Sequence, residues 1–290
     1  MLLENSDNGW QIKVRILNDT FKIRPIHLVP ILASLLFGWL CTFLMRLASS
    51  MDIYAVTPFP EGLLGSSLNA LYYVILTAVG ASLLYLLLKR KSVKLVTFIT
   101  GFALTLAVFM LSLIYLYAAF SLLSVQYADV VILIMSITIT ALVDIAVFRT
   151  HSRIANIAIL LLGGALGAFL GISIPTLSAI LILGFLAVYD IFAVYHGPVG
   201  KIAHSGLDQL RGLSFSFKDV QMGLGDLTFY SMLTSRVFAN SGQVFWLAST
   251  TGVMIGVYIA FKMLEKKGMF PGLPFPIALG LMPLIISLFL

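Results

Sequence analysis

The feature that most constrains this chain is a repeat of apolar runs, each about 20 residues long, separated by short polar gaps. About 20 apolar residues is the length a helix needs to cross a bilayer. The runs fall at about 27–49, 68–88, 95–119, 127–148, 154–172, 176–195, 219–239, 244–262 and 274–290. Composition agrees: 60% of the residues are hydrophobic and 10% charged, against about 25% charged in soluble domains. A soluble fold this poor in charge could not cover its surface. The expected fold class is all-α, a polytopic membrane protein of nine transmembrane helices. Residues 1–290 form a single transmembrane domain, with 1–26 as an N-terminal arm.

Three runs carry further detail. Those at 154–172 and 176–195 are separated by little more than Ile174-Pro175, which predicts a tight helical hairpin. The last begins Pro274-Phe275-Pro276 and is short, so it is expected to start shallow or broken. The polar stretch before the first run is too long for a signal-peptide lead-in. The run itself exceeds the 7–15 residues of a cleaved apolar region, so a retained first span is expected.

The net charge of +6 does not point to nucleic acid, because no basic stripe exists. The basic residues sit in the gaps, where they set topology. Lys13, Arg15, Lys22 and Arg24 precede the first span; Lys89, Arg90, Lys91 and Lys94 lie between the second and third. Arg149 and Arg153 follow the fourth, Lys201, Arg211 and Lys218 the sixth, and Lys262, Lys266 and Lys267 the eighth. The intervening gaps have none, apart from the nearby Arg236. This alternation predicts a multi-pass protein of the plasma membrane with its N-terminus cytoplasmic and its C-terminus outside. The lone Cys41 excludes an internal disulfide and a cysteine-based metal cluster. Neither a metal nor a cofactor is expected.

Ionisable residues within the spans are few, and at bilayer depth each is a functional suspect. Arg46 and Asp129 lie near the outer ends of spans 1 and 4, where they pair or reach the interface separately. Arg236, near the outer end of span 7, is expected to snorkel. Asp190 and Asp226 are different. One lies near the end of span 6 and the other near the start of span 7, both roughly 8–11 Å from the same membrane face at 1.5 Å per residue. Two carboxylates held together in a low-dielectric setting share one proton. That suits peptide hydrolysis, in which one draws a proton from water while the other polarises the scissile carbonyl. It equally suits a proton-coupled transporter or a structural polar pair. Asp144, at a similar depth in span 4, is a third carboxylate that either joins the site, bonds a neighbouring helix or reaches the interface near Arg149.

The flanks bear on the choice. Gly223 and Gly225 bracket Leu224 at the start of a span, where glycine permits close backbone approach or a non-helical opening. Gly163, Gly167 and Gly171 recur every fourth residue and form one smooth helix face. Pro271, Pro274 and Pro276 preclude regular helix ahead of the last span. Irregular backbone at that depth lines a cavity or is a stiff loop. Leu213, Ser214, Phe215, Ser216 and Phe217 alternate with period two, a short strand signal. Its exposed edge would suit an unwound substrate, and an interfacial loop is the other reading.

Tyr189-Asp190, Gly223-Leu224-Gly225-Asp226 and Pro271-Gly272-Leu273-Pro274 together resemble the three signatures of the presenilin and signal-peptide-peptidase family of intramembrane aspartyl proteases. The resemblance runs in order along essentially the whole chain and implies an archaeal presenilin-like homologue. It implies nine spans, Asp190 and Asp226 as the catalytic pair, and hydrolysis within or near transmembrane segments. Tyr189, Gly223, Leu224, Gly225 and residues 271–274 would shape the site and position substrate. Substrates would be transmembrane peptides or membrane proteins met in the lipid bilayer, with no obligate partner subunit. One departure is Gly272, where the family has alanine; it loosens the backbone. The short gap before span 7 also argues against the self-cleavage known in presenilins. The same residues leave two alternatives: a proton-coupled transporter using both aspartates on discontinuous helices, and a prepilin-peptidase-like membrane protease, which shares a Gly-x-Gly-Asp element. The span count and the proline motif oppose the latter.

Overall fold

The computed structural model describes residues 23–48, 56–90, 92–123, 127–149, 153–196, 212–217, 220–267 and 270–289. Lys13, Arg15, Lys22, Lys91, Lys201, Arg211 and Lys218 of the charge pattern, and most of the expected N-terminal arm, lie outside them. A short 3-10 turn at Pro25–Leu28 leads into α1 (Val29–Leu47). There follow α2 (Leu63–Lys89), α3 (Val93–Ser121), α4 (Ala128–Phe148), α5 (Arg153–Ser173) and α6 (Thr176–Tyr195). An antiparallel hairpin, β1 (Ser214–Phe217) and β2 (Val220–Gly223), then opens α7 (Leu224–Lys267), and α8 (Pro274–Ser287) closes the fold.

Seven of these helices are long and apolar enough to cross a membrane, and α8 is a shorter apolar helix. The difference from nine expected spans has two sources. Two predicted spans, most of 219–239 and all of 244–262, fall within the single element α7. Its 44 residues would measure about 66 Å if straight, against about 30 Å of hydrocarbon. They are not straight, because Gly242 adopts φ 83° and ψ −169°, a conformation glycine alone takes without strain. The two arms fold back along each other. Trp39 of α1 meets Phe238 before the break and Trp246 after it, with ring centroids at 6.1 and 5.4 Å. Gly280 of α8 lies against Leu233 of the first arm and Val253 of the second. The second source is α8 itself, 14 residues long. Val220–Gly223 of the 219–239 run are strand, and the helix starts at Leu224.

The core is built where small residues let helices touch. Gly163, Gly167 and Gly171 of α5 face the first arm of α7; a Cβ on Gly163 would lie 2.8 Å from Leu227 Cβ. Neighbouring Gly164 faces α1 instead, beside the Ser34 carbonyl. Hydroxyls satisfy the carbonyls along these seams: Ser231 donates to Gly164 O at 2.8 Å and Ser34 to Leu160 O at 2.9 Å. Tyr115 of α3 donates to Ala165 O at 2.6 Å. On the other flank the buried Asn69 of α2 donates to Ser178 of α6. Its amide also grips the loop before α2 by bonding both the N–H and the carbonyl of Phe59 at 3.0 Å.

The outer arginines find other partners than sequence suggested. Arg46 does not pair with Asp129, which is exposed in the first turn of α4. It donates to Phe238 O at 3.1 Å and lies over that ring, 5.4 Å from its centroid. Arg236 turns onto the end of α5, donating to Ile174 O at 3.0 Å, to Gly171 and Ile172 carbonyls at 3.4 Å, and to Thr176. The last carbonyls of a helix have no partner within it, and this guanidinium supplies one.

Candidate active site

Asp190 and Asp226 arrive from elements that end on the same face of the bundle. Asp190 is on the last turns of α6, five residues before Tyr195. Asp226 is the third residue of α7, in its first turn, where unpaired backbone N–H groups and the helix dipole favour an acid. The hairpin fixes that start: Ser214 pairs with Gly223, and Leu224 N–H donates to Leu213 O at 2.8 Å. The expected strand over 213–217 is thus observed as β1, with Leu213 one residue outside it. Gly212, at φ 87°, lets the chain turn into the hairpin while pressed on Leu104, Val147 and Phe148 of α3 and α4.

The two aspartates meet across residues 271–273. Leu273 N–H donates to Asp190 Oδ2 at 2.9 Å, and Gly272 N–H also faces that carboxylate. A Cβ built on Gly272 would lie 2.9 Å from Asp226 Oδ2 and 3.1 Å from its Cγ. The space a methyl group would fill is taken by the Asp226 carboxylate. Asp190 lies within electrostatic reach of Asp226, and Gly223 N–H faces the latter. Both acids therefore bear on one dipeptide, one carboxylate bonded to its amide and the other packed at the Gly272 Cα. The prolines hold this segment out of helix until Pro274, and Phe270 stacks on Phe275 across it at 5.8 Å.

Gly223 and Gly225 are both exposed. A Cβ on either would meet nothing closer than 3.9 Å, and at Gly223 the nearest atom is Asp226 Oδ2. These glycines do not serve close packing as those of α5 do. They leave open the approach to Asp226. Leu224, partly buried, packs on the core. Tyr189 is half-buried beside Asp190, and its hydroxyl bonds none of the described residues. Asp144 stands apart from the pair: its Oδ2 accepts a bond from Thr105 of α3 at 2.8 Å. Sequence reasoning passed over Tyr230. It is fully buried, and its hydroxyl donates to Gly272 O at 2.7 Å. The available signal was its position four residues after Asp226, which places both on one helix face.

A model of the family described as signal-peptide peptidase, presenilin aspartyl protease matches residues 42–204, more than half of the chain. The chain belongs to that family. Its class is accordingly that of an intramembrane aspartyl protease, a multi-pass membrane protein acting on transmembrane substrates. The matched stretch contains Asp190 and stops short of Asp226. The fold is similar to that of a presenilin-family intramembrane aspartate protease solved in two crystal forms. In one, the TM-score is 0.63 at 18% identity, covering 90% of this chain and 98% of the other. In the second it is 0.58 at 19% identity, covering 90% and 97%. Comparison with curated proteins finds no match.

Proposed function

We propose that Asp190 and Asp226 are the catalytic pair of this protease, hydrolysing peptide bonds within or near transmembrane segments. The observation that carries the reading is that both carboxylates bear on the same Gly272–Leu273 segment, within electrostatic reach of each other. Two acids so close in a poorly solvated setting hold one proton between them. The ionised member takes a proton from water as the water oxygen attacks the scissile carbonyl carbon. The protonated member gives its proton to the carbonyl oxygen, and a gem-diol forms. Collapse of the diol breaks the C–N bond: the protonated aspartate gives its proton to the leaving nitrogen, a diol hydroxyl returns one to the ionised aspartate, and a carboxylic acid and an amine depart.

The substrate must unwind first, because helical hydrogen bonding and packing cover its backbone carbonyls. The β1–β2 hairpin beside Asp226 offers an extended template, and the open faces of Gly223 and Gly225 admit a strand next to the carboxylate. On this reading each arm of α7 crosses the membrane separately and α8 makes a ninth pass. The chain then works as one uncut transmembrane domain with its N-terminus cytoplasmic. The test is cleavage of a labelled transmembrane peptide by purified protein in detergent. Asp190→Ala and Asp226→Ala are each expected to abolish it while leaving the protein folded; cleavage surviving either change overturns the assignment.

A further inference from the structure

We propose that Tyr230 is a positioning residue for the catalytic pair, acting through the single peptide unit between Gly272 and Leu273; this rests on the dyad reading above. A peptide unit is rigid and planar, so its carbonyl and its N–H point in fixed opposite directions. Here the two ends are held by different helices. The Gly272 carbonyl accepts the Tyr230 hydroxyl of α7 at 2.7 Å, and the Leu273 N–H donates to Asp190 Oδ2 of α6 at 2.9 Å. Rotation of this plane would break both bonds together. The peptide is a strut between α6 and α7.

The strut also locates Asp226. Tyr230 lies one turn beyond Asp226 on the same face of α7, so that helix presents its carboxylate to the Gly272 Cα and its phenol to the Gly272 carbonyl. Fixing the dipeptide to Tyr230 thus sets the spacing of both acids. A carbonyl that accepts a hydrogen bond polarises its own amide, which makes the N–H a stronger donor. The hydroxyl therefore strengthens the grip on Asp190 from the far side of the peptide. Phenylalanine would fill the same buried volume, so packing alone does not account for a hydroxyl aimed at this carbonyl.

The experiment compares the purified full chain with Tyr230→Phe, with a backbone ester replacing the Gly272–Leu273 amide, and with both changes together. The ester removes the N–H that holds Asp190 and leaves the side chains alone. Tyr230→Phe is expected to lower kcat for transmembrane-peptide cleavage about tenfold, equivalent to one lost hydrogen bond in the transition state, with KM within about twofold. The ester should do likewise. The double change should lose less than the product of the two, because both act through one peptide. A Tyr230→Phe protein with kcat within about twofold of wild type overturns the proposal, as does full multiplication of the two losses. Should Tyr230→Phe fail to fold, replacing Tyr230 with 4-fluorophenylalanine fills the hydroxyl's volume without donating, and the same outcomes decide. Asp190→Ala and Asp226→Ala run in parallel separate the two ideas. If they keep activity the dyad falls; if they lose it while Tyr230→Phe stays active, only the role of Tyr230 falls.

Discussion

Replacing Gly163 with alanine adds one methyl group at the α5–α7 seam, one residue along α7 from Asp226. The new Cβ would lie 2.8 Å from Leu227 Cβ and 3.3 Å from Leu224 Cδ1. Carbon atoms rest at about 3.5–4.0 Å, so the helices must part by roughly 0.7–1.2 Å at this point. Two terms then oppose each other. Alanine gains about 0.8–1.0 kcal/mol over glycine in a helix interior, while overpacking a filled seam costs about 1–3 kcal/mol. The net change in stability is small, between about zero and 2 kcal/mol of destabilisation. Activity should suffer more, because α7 carries Asp226 with it, and a displacement of about 1 Å at reacting groups costs about a hundredfold. Gly184→Ala on α6 is the control, since a Cβ there meets nothing within 4 Å. The assay is kcat/KM for transmembrane-peptide cleavage alongside a thermal unfolding scan in the same detergent. Gly163→Ala should lose roughly ten- to a hundredfold in kcat/KM with a modest change in Tm, while Gly184→Ala matches wild type in activity. Equal activities in the two variants would refute the idea that the α5 glycines set the depth and distance of Asp226.

Two further outcomes follow from the same geometry. Gly272→Ala restores the family's residue, yet its methyl would crowd the Asp226 carboxylate, so kcat should fall about tenfold or more while Tm holds; an unchanged or raised kcat contradicts this. Arg236→Met removes the donors to the last carbonyls of α5 without burying a new charge, and should cost about 1–3 kcal/mol, read as a lower Tm. An unshifted Tm would mean that lipid or water replaces those bonds.

Much of the architecture was legible because hydropathy at bilayer scale is a coarse and strong signal. The gap between the predicted runs at 219–239 and 244–262 contains Gly242, where α7 breaks. The three motifs also named the segments that converge on the site. What hydropathy cannot supply is a partner. Arg46 and Arg236 were recognisable as expensive charges, but sequence offered only an acid or the interface for Arg46 and the interface for Arg236, whereas both donate to carbonyl oxygens. Helix ends offer such acceptors without any mark in the side chains. Tyr230 was hidden for a related reason: its acceptor is backbone, and only the fold brings Gly272 within reach of α7. Gly272 looked like a loosening substitution. In the fold the absent methyl is the seat of a carboxylate.

The shortness of α8 has a consequence for what surrounds the proposed pair. Fourteen helical residues measure about 21 Å, and this helix begins at the aspartates rather than at the lipid headgroups. That length is about a third short of the roughly 30 Å of hydrocarbon a bilayer interposes, and residues 270–273 ahead of it are not helical. On the proposed reading, in which α8 makes the ninth pass, its helical turns all lie beyond the point where the chain touches Asp190. The proposed pair would then sit where non-helical backbone, which needs water or protein partners, gives way to helix.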